Sequence, residues 1–126
     1  MAQRIAAGEG VSVGLPGRSA LEVVAGPTGA AGVTFRRVEI LPEAPGETPR
    51  APHLHRDFEE VIHVLSGHGL TRAGDARIPV GPGDTLLVPA GEPHVTRNTG
   101  TGPLVLLCFF PVADIRPGTV DLPADA

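Results

Sequence analysis

Five histidines are spread through the 126 residues, and two of them stand one residue apart in His53-Leu54-His55. A neutral imidazole offers an in-plane lone pair and is the commonest protein ligand for transition metals, so this spacing is a candidate for metal chemistry. In an extended strand, residues two apart point to the same face, and both rings project one way while Leu54 packs the other. A pair of histidines on one side of a strand is half a metal site. After Arg56-Asp57-Phe58 come Glu59, Glu60 and the run Val61-Ile62-His63-Val64-Leu65. Alternation puts Glu60, Ile62 and Val64 on one face and Glu59, Val61, His63 and Leu65 on the other, so only one of the two glutamates can face an interior. His94 is the third candidate. It opens an extended segment just after the turn Pro89-Ala90-Gly91, where a returning strand can carry its ring across to the first pair.

Those side chains need a rigid frame, and the sequence supplies strands rather than helices. The chain holds 17 Gly and 14 Pro, and one or the other interrupts nearly every window long enough for three helical turns. The β-branched and leucine-rich runs that remain predict strands at 20–24, 33–41, 60–65, 69–72, 77–80, 85–88, 94–98 and 104–110. A Gly-rich loop at 25–32, a Pro/Glu loop at 42–49 and turns at 73–75 and 81–84 separate them. Many short strands at even spacing imply an all-β sandwich or barrel of the jelly-roll kind. The Gly- and Pro-rich ends, 1–15 and 111–126, are expected to be arms, either frayed or laid across a partner subunit.

The two chemistry-bearing segments resemble the signatures of the cupin superfamily, G-x5-H-x-H-x(3,4)-E-x6-G and G-x5-P-x-G-x2-H-x3-N. Gly83, Pro89, Gly91, His94 and Asn98 match every fixed position of the second, and His53, His55, Glu60 and Gly67 match the first. One departure is an extra residue in the Pro-rich loop, where six residues rather than five separate Gly46 from His53. The motifs run over residues 46–98, about two fifths of the chain, with a short gap from Gly67 to Gly83 as in compact single-domain cupins. The resemblance implies one cupin domain over residues 1–126: a double-stranded β-helix, or jelly-roll barrel, with its core at about 20–112 and N- and C-terminal arms. It also implies a metal site of His53, His55, Glu60 and His94, with Glu60 preferred to Glu59 because it keeps the six-residue spacing to Gly67. Three nitrogens and a carboxylate oxygen suit one divalent Fe, Mn, Ni, Zn or Cu ion without choosing among them. One or two positions on the metal would stay open, which separates a chemical site from a structural one.

Composition narrows the partners. Every basic residue is an arginine, and the ten are scattered rather than clustered, so no positive face suited to a nucleic-acid backbone is expected. With no lysine, a Schiff base from this chain is excluded. Nothing in the first residues reads as a secretory signal and no apolar run is long enough to span a bilayer, so the expectation is a cytoplasmic protein without a membrane partner. Cys108 is the lone cysteine and sits in the apolar run Val105-Leu106-Leu107-Cys108-Phe109-Phe110, which reads as a buried core residue rather than a reactive thiol. His63 has the wrong parity for the site and His68 reads as a turn residue. Asn98 and Asp84 read as turn-stabilising groups. Arg36 and Arg37 must face opposite ways along one strand; whichever enters the barrel would be a carboxylate clamp.

The functional expectation is a metal-dependent enzyme acting on a small organic molecule. Ile62, Val64 and Thr96 are expected to line its pocket, and Glu60 to double as a proton shuttle. A dioxygenase-like reaction is favoured, with isomerase, cyclase or decarboxylase chemistry as alternatives. A non-catalytic module that anchors a carboxylate or sugar is a further reading. The absence of Tyr and Trp argues against a tyrosine acid or a Cys-Tyr cofactor. A homodimer is expected to cover the outer sheet faces and edges of such a barrel.

Overall fold

The computed structural model describes residues 1–126 and is built almost wholly of antiparallel strands. In chain order these are β1 (Val11–Leu15), β2 (Arg18–Val24), β3 (Thr34–Ile40), β4 (His53–His55), β5 (Glu60–Ser66), β6 (Gly69–Ala73), β7 (Ala76–Val80), β8 (Thr85–Val88), β9 (His94–Asn98), β10 (Leu104–Phe110) and β11 (Thr119–Asp121). Six strands form one sheet in the order β1-β2-β3-β10-β5-β8, and five form the other in the order β11-β4-β9-β6-β7. The non-sequential neighbours are what a jelly roll requires, since each hairpin must be interleaved with strands from distant sequence. No helix is long and apolar enough to cross a membrane.

Strict alternation fixes which side chains meet inside. On β3 the residues Thr34, Arg36, Val38 and Ile40 are buried while Arg37 is exposed, and on β10 Leu106, Cys108 and Phe110 turn inward while Phe109 turns out. Inward residues from both sheets build a core of 13 buried members that includes Val38, Phe58, Ile62, Val64, Val80, Leu104 and Phe110. Gly67 closes the turn from β5 to β6 at φ 87°, and a side chain there would collide with the Pro103 carbonyl. Both the left-handed backbone and the close approach demand glycine. Asn98 seals the same end. Its amide donates to the carbonyls of Ile40 at 2.8 Å and Gly102 at 2.9 Å and accepts from the Gly100 N–H at 2.8 Å, so a buried amide ties β9 to β3 and to the following loop.

Within the chain ends expected as arms, two short segments are strands of the sheets. Val11–Leu15 pairs with β2 over five residues, and Thr119–Asp121 pairs with β4, placing Thr119 opposite His55 and Asp121 opposite His53. Gly and Pro in these segments mark tight turns beside short strands rather than disorder, and pairing satisfies the backbone groups. β11 in particular brings residues from the far end of the chain against the histidine strand.

Candidate metal centre

His53 and His55 share a face of β4, as their spacing requires, and β9 runs antiparallel beside it with His94 directly opposite His53. The turn that delivers His94 is anchored to the first motif. Gly91, at φ 80°, points its N–H at the His55 carbonyl at 2.6 Å, so the Pro-Ala-Gly turn is hydrogen-bonded to the strand whose histidines it must meet. Glu60 comes from the other sheet, at the start of β5, and is buried while Glu59 is exposed. Three imidazoles from one sheet therefore face one carboxylate from the other. Their nearest donor atoms all lie within 4.8 Å of one another, close enough for a single ion to reach all four.

The hydrogen bonds behind the rings decide which nitrogens face the centre. His94 Nδ1 lies 3.0 Å from the Glu92 carbonyl, which can only accept, so Nδ1 carries the hydrogen. Thr119 donates its hydroxyl hydrogen to the Ile115 carbonyl at 2.7 Å and is left to accept from His55 Nδ1 at 2.9 Å. Both rings thus turn their Nε2 atoms inward, where they stand 2.9 Å (His94) and 3.1 Å (His55) from Glu60 Oε1. In the neutral tautomers those Nε2 atoms carry lone pairs, and lone pairs pointed at a carboxylate oxygen at this distance repel. A cation between them, either a proton or a metal ion, turns repulsion into attraction, and a back-bonded Nδ1–H is the usual outer support of a metal-ligating histidine. The donor set fits a divalent transition metal.

The surroundings set the charges. Burial works against the Glu60 carboxylate, but in the metal-free protein a proton shared between Oε1 and the facing ring nitrogens outweighs it and holds its pKa at about 2. For His94 burial is likewise outweighed, by Glu60, and its pKa is raised. His53 has no such partner; burial and the neighbouring His94 charge push its pKa down to about 3, so its ring is neutral and its one nitrogen lone pair is free. Phe58 and Phe110 pack on His55 with ring centroids 5.2 and 5.1 Å away and fix its plane. Cys108 is buried beside Glu60, and burial plus that negative charge raise its pKa well above the ordinary value, so it stays a thiol, as a core residue should.

A cavity of about 350 Å³ opens over the four residues. Ile62 and Thr96 lie in its wall, along with Val38, Leu106, Cys108 and Phe110. Val64 does not: two residues beyond Ile62 on β5, it is wholly buried in the packed core past the cavity floor. Arg36 enters the barrel and Arg37 faces out, but Arg36 is already spoken for. It sits opposite Glu22 across the β2/β3 ladder and pairs with it at 2.7 Å, which removes it as a free carboxylate clamp. His63 points to the outer face and bonds Thr85 at 2.8 Å, and Asp84 accepts from the Gly81 N–H at 2.8 Å to complete its turn. Residues that the motifs do not mark also reach the site: Thr119 behind His55, and Arg18 and Arg50 in the cavity wall. Only the three-dimensional pairing of β11 with β4, and the turn before β2, reveal them.

A family model described as a cupin domain matches residues 39–110. Glucose-6-phosphate isomerase of Thermococcus kodakarensis is 36% identical over 64 residues, which cover 47% of this chain and 34% of the relative. The chain thus spans about a third of that protein's length. Among solved structures, the Streptomyces nucleoside dehydratase Pac13 superposes with a TM-score of 0.79 at 13% identity, covering 98% of this chain and 93% of that one. Oxalate decarboxylase of Lactobacillus farciminis, as a formate complex, gives a TM-score of 0.74 at 20% identity and covers 89% of this chain and 33% of that one.

Proposed function

This chain belongs to the cupin-domain family, and from that premise we propose that His53, His55, Glu60 and His94 hold one divalent transition metal at which a small organic substrate is turned over. The observation that carries the reading is the pair of back-bonded Nδ1 atoms, which aims two Nε2 lone pairs and a carboxylate oxygen at one point. The metal would supply Lewis acidity toward a substrate oxygen. Around it, the apolar wall of Val38, Ile62, Leu106 and Phe110 excludes water and orients the substrate, while Thr96 offers a hydroxyl. Glu60 meets two histidines through one oxygen, Oε1, and with its pKa held at about 2 it would serve the metal chiefly as negative charge, any proton taken up at Oε2 being passed on at once.

The proteins similar in sequence or fold are named for an isomerisation, a dehydration and a decarboxylation, which supports a reaction that rearranges or eliminates over one that inserts oxygen. The apolar wall favours dioxygenase-like chemistry as a second reading, because dioxygen is itself apolar and partitions into such surfaces. Metal analysis of the purified protein tests the first claim: one Fe, Mn, Ni, Zn or Cu ion per chain is expected, and none after loading with each in turn would refute it. An oxygen electrode separates the two readings, since consumption of dioxygen during turnover selects the second.

We also propose a homodimer through the outer face of the six-stranded sheet. Ladder partners Leu87, Val61, Phe109 and Phe35 form an apolar row across β8, β5, β10 and β3, with the two phenylalanine rings stacked at 4.7 Å. Arg37 and Glu39 border it, opposite charges that a two-fold axis can cross-pair. Light scattering should give twice the chain mass, and Phe109→Asp should halve it.

A further inference from the structure

Four arginines reach the cavity, and their partners divide them. Arg36 is paired with Glu22, and Arg116 with Asp114 at 2.8 Å. Arg18, the first residue of β2, makes no ion pair and no side-chain hydrogen bond within the chain. Arg50, three residues before His53, gives one hydrogen bond to the Thr96 carbonyl and has no carboxylate partner. Glu43, the acid whose charge acts on Arg50, is already engaged by two nitrogens of Arg97 at 2.8 and 2.6 Å. Glu60 and Asp121 also border the cavity, and each offsets part of the charge of Arg18 without pairing with it.

Packing brings the two segments that carry Arg18 and Arg50 together at the cavity wall. Gly17, at φ 67° in the turn between β1 and β2, lies against the stem of Arg50, so the turn that carries Arg18 rests on Arg50. Burial lowers the pKa of both, and for Arg50, brought down to about 10, the second cause is the charge of Arg18. Two like charges are thus kept close in a poorly hydrated wall, an arrangement that destabilises the protein unless an anion enters between them.

We infer that Arg18 and Arg50 form an anion subsite, and that the substrate is a small carboxylate held there while another of its oxygens faces the histidine cluster. This rests on the metal reading above. A carboxylate suits the pair because a planar guanidinium offers two parallel N–H donors to its two oxygens. Cavity size restricts the rest of the molecule to a few carbons or one ring.

The test is calorimetry on the zinc-loaded protein with two isosteric pairs, pyruvate against pyruvamide and phenylpyruvate against its amide, with inorganic phosphate as the competing anion. The acids should bind at least about tenfold more tightly than their amides. Arg18→Gln and Arg50→Gln should each erase about tenfold of that preference, while the amides bind as before and the zinc stoichiometry stays at the wild-type value. Arg18→Lys, which keeps the charge and loses the fork, should recover part of it. Equal binding of acid and amide, no binding of any acid up to about 50 mM, or an unchanged preference in both glutamine variants would overturn the anion subsite. Tighter binding of phosphate than of either acid would overturn the carboxylate assignment. Failure to take up zinc would instead count against the metal reading, and the same titrations on metal-free protein would still report on the arginines.

Discussion

The two ends of this barrel share strands and differ in almost everything else. Along the inner face of β5, Glu60 belongs to the histidine cluster, Ile62 to the cavity wall, and Val64 to a core with no exposed surface. At the end near Gly67, Leu104, Val64 and Thr71 are fully buried, and every polar group is satisfied: Thr71 bonds Thr96 at 2.7 Å, and Asn98 uses both its donor and its acceptor atoms. At the other end the buried groups are ionisable, two arginines lack an ion-pair partner, and about 350 Å³ is left unfilled. The closed end supplies apolar burial and backbone specification, and the open end spends stability on convergent charge. A strand only five to seven residues long is enough to pass from one regime to the other, because each step of two residues moves a side chain nearly 7 Å along the barrel, by a rise of about 3.3 Å per residue.

Removing a ligand should have the largest effect and leave the closed end intact. Glu60→Gln and His94→Ala each take a donor from the cluster, and metal affinity should fall by more than about a hundredfold, beyond what an outer-shell change produces. Metal analysis after dialysis, with circular dichroism to confirm the strands, checks both parts. Retention of stoichiometric metal by either variant would break the comparison at its open end. Next in size is Leu104→Ala. Deleting a fully buried leucine costs about 2–5 kcal/mol, a loss readable by urea denaturation. Here metal content should stay at the wild-type value, because Leu104 lies outside the cavity wall.

Much of this division is legible in the sequence, since it is a matter of periodicity. The parity of Glu60 and the one-residue separation of His53 and His55 already turn the converging side chains to one interior, and β8, β9 and β10 begin and end where their apolar and β-branched runs do. The expected strands at 20–24 and 33–41 need only small adjustments, to Arg18–Val24 and Thr34–Ile40. Parity cannot tell depth, and this is why Val64 shares a face with Glu60 without sharing its cavity. Nor can it tell pairing over long separation. Val11, Val13 and Leu15 do alternate, but over only five residues broken by Gly14, and Thr119–Asp121 holds a single aliphatic residue; both become strands because β2 and β4 present open edges to them. Arg36 turns inward as one of the two had to, yet its partner Glu22 is set by a ladder that local sequence does not encode. Arg18 and Arg50 have no periodic signature at all.

Thr119→Val sharpens the comparison by acting one layer outside the cluster. It removes the acceptor that fixes the His55 tautomer while keeping the volume, so metal affinity should drop about 10- to 100-fold with little change in the urea midpoint of the metal-free protein. Competition with a chromophoric chelator measures this. Thr119→Ser, which retains the hydroxyl, should restore most of the affinity.

The last expected effect is a pH dependence of stability in the metal-free protein, and the open end contributes most to its sign. A group whose folded pKa is depressed contributes stability that is complete above its unfolded value and is lost as pH falls through the folded one. His53, at about 3 against 6.5, therefore contributes a loss on acidification from about pH 6.5 downward. Glu60, at about 2 against 4.5, adds a second loss below about pH 4.5. His94, whose pKa is raised, acts oppositely, with its contribution complete below 6.5 and lost as pH rises through its folded value. The urea midpoint of metal-free protein should accordingly fall between pH 6 and pH 4, and an unchanged midpoint there would contradict the arrangement of charges. Leu104→Ala should shift that curve downward without altering its slope, because the one ionisable member of the core it disrupts, Cys108, stays a neutral thiol throughout that range. A change of slope would mean that the two ends unfold as coupled rather than separable contributions.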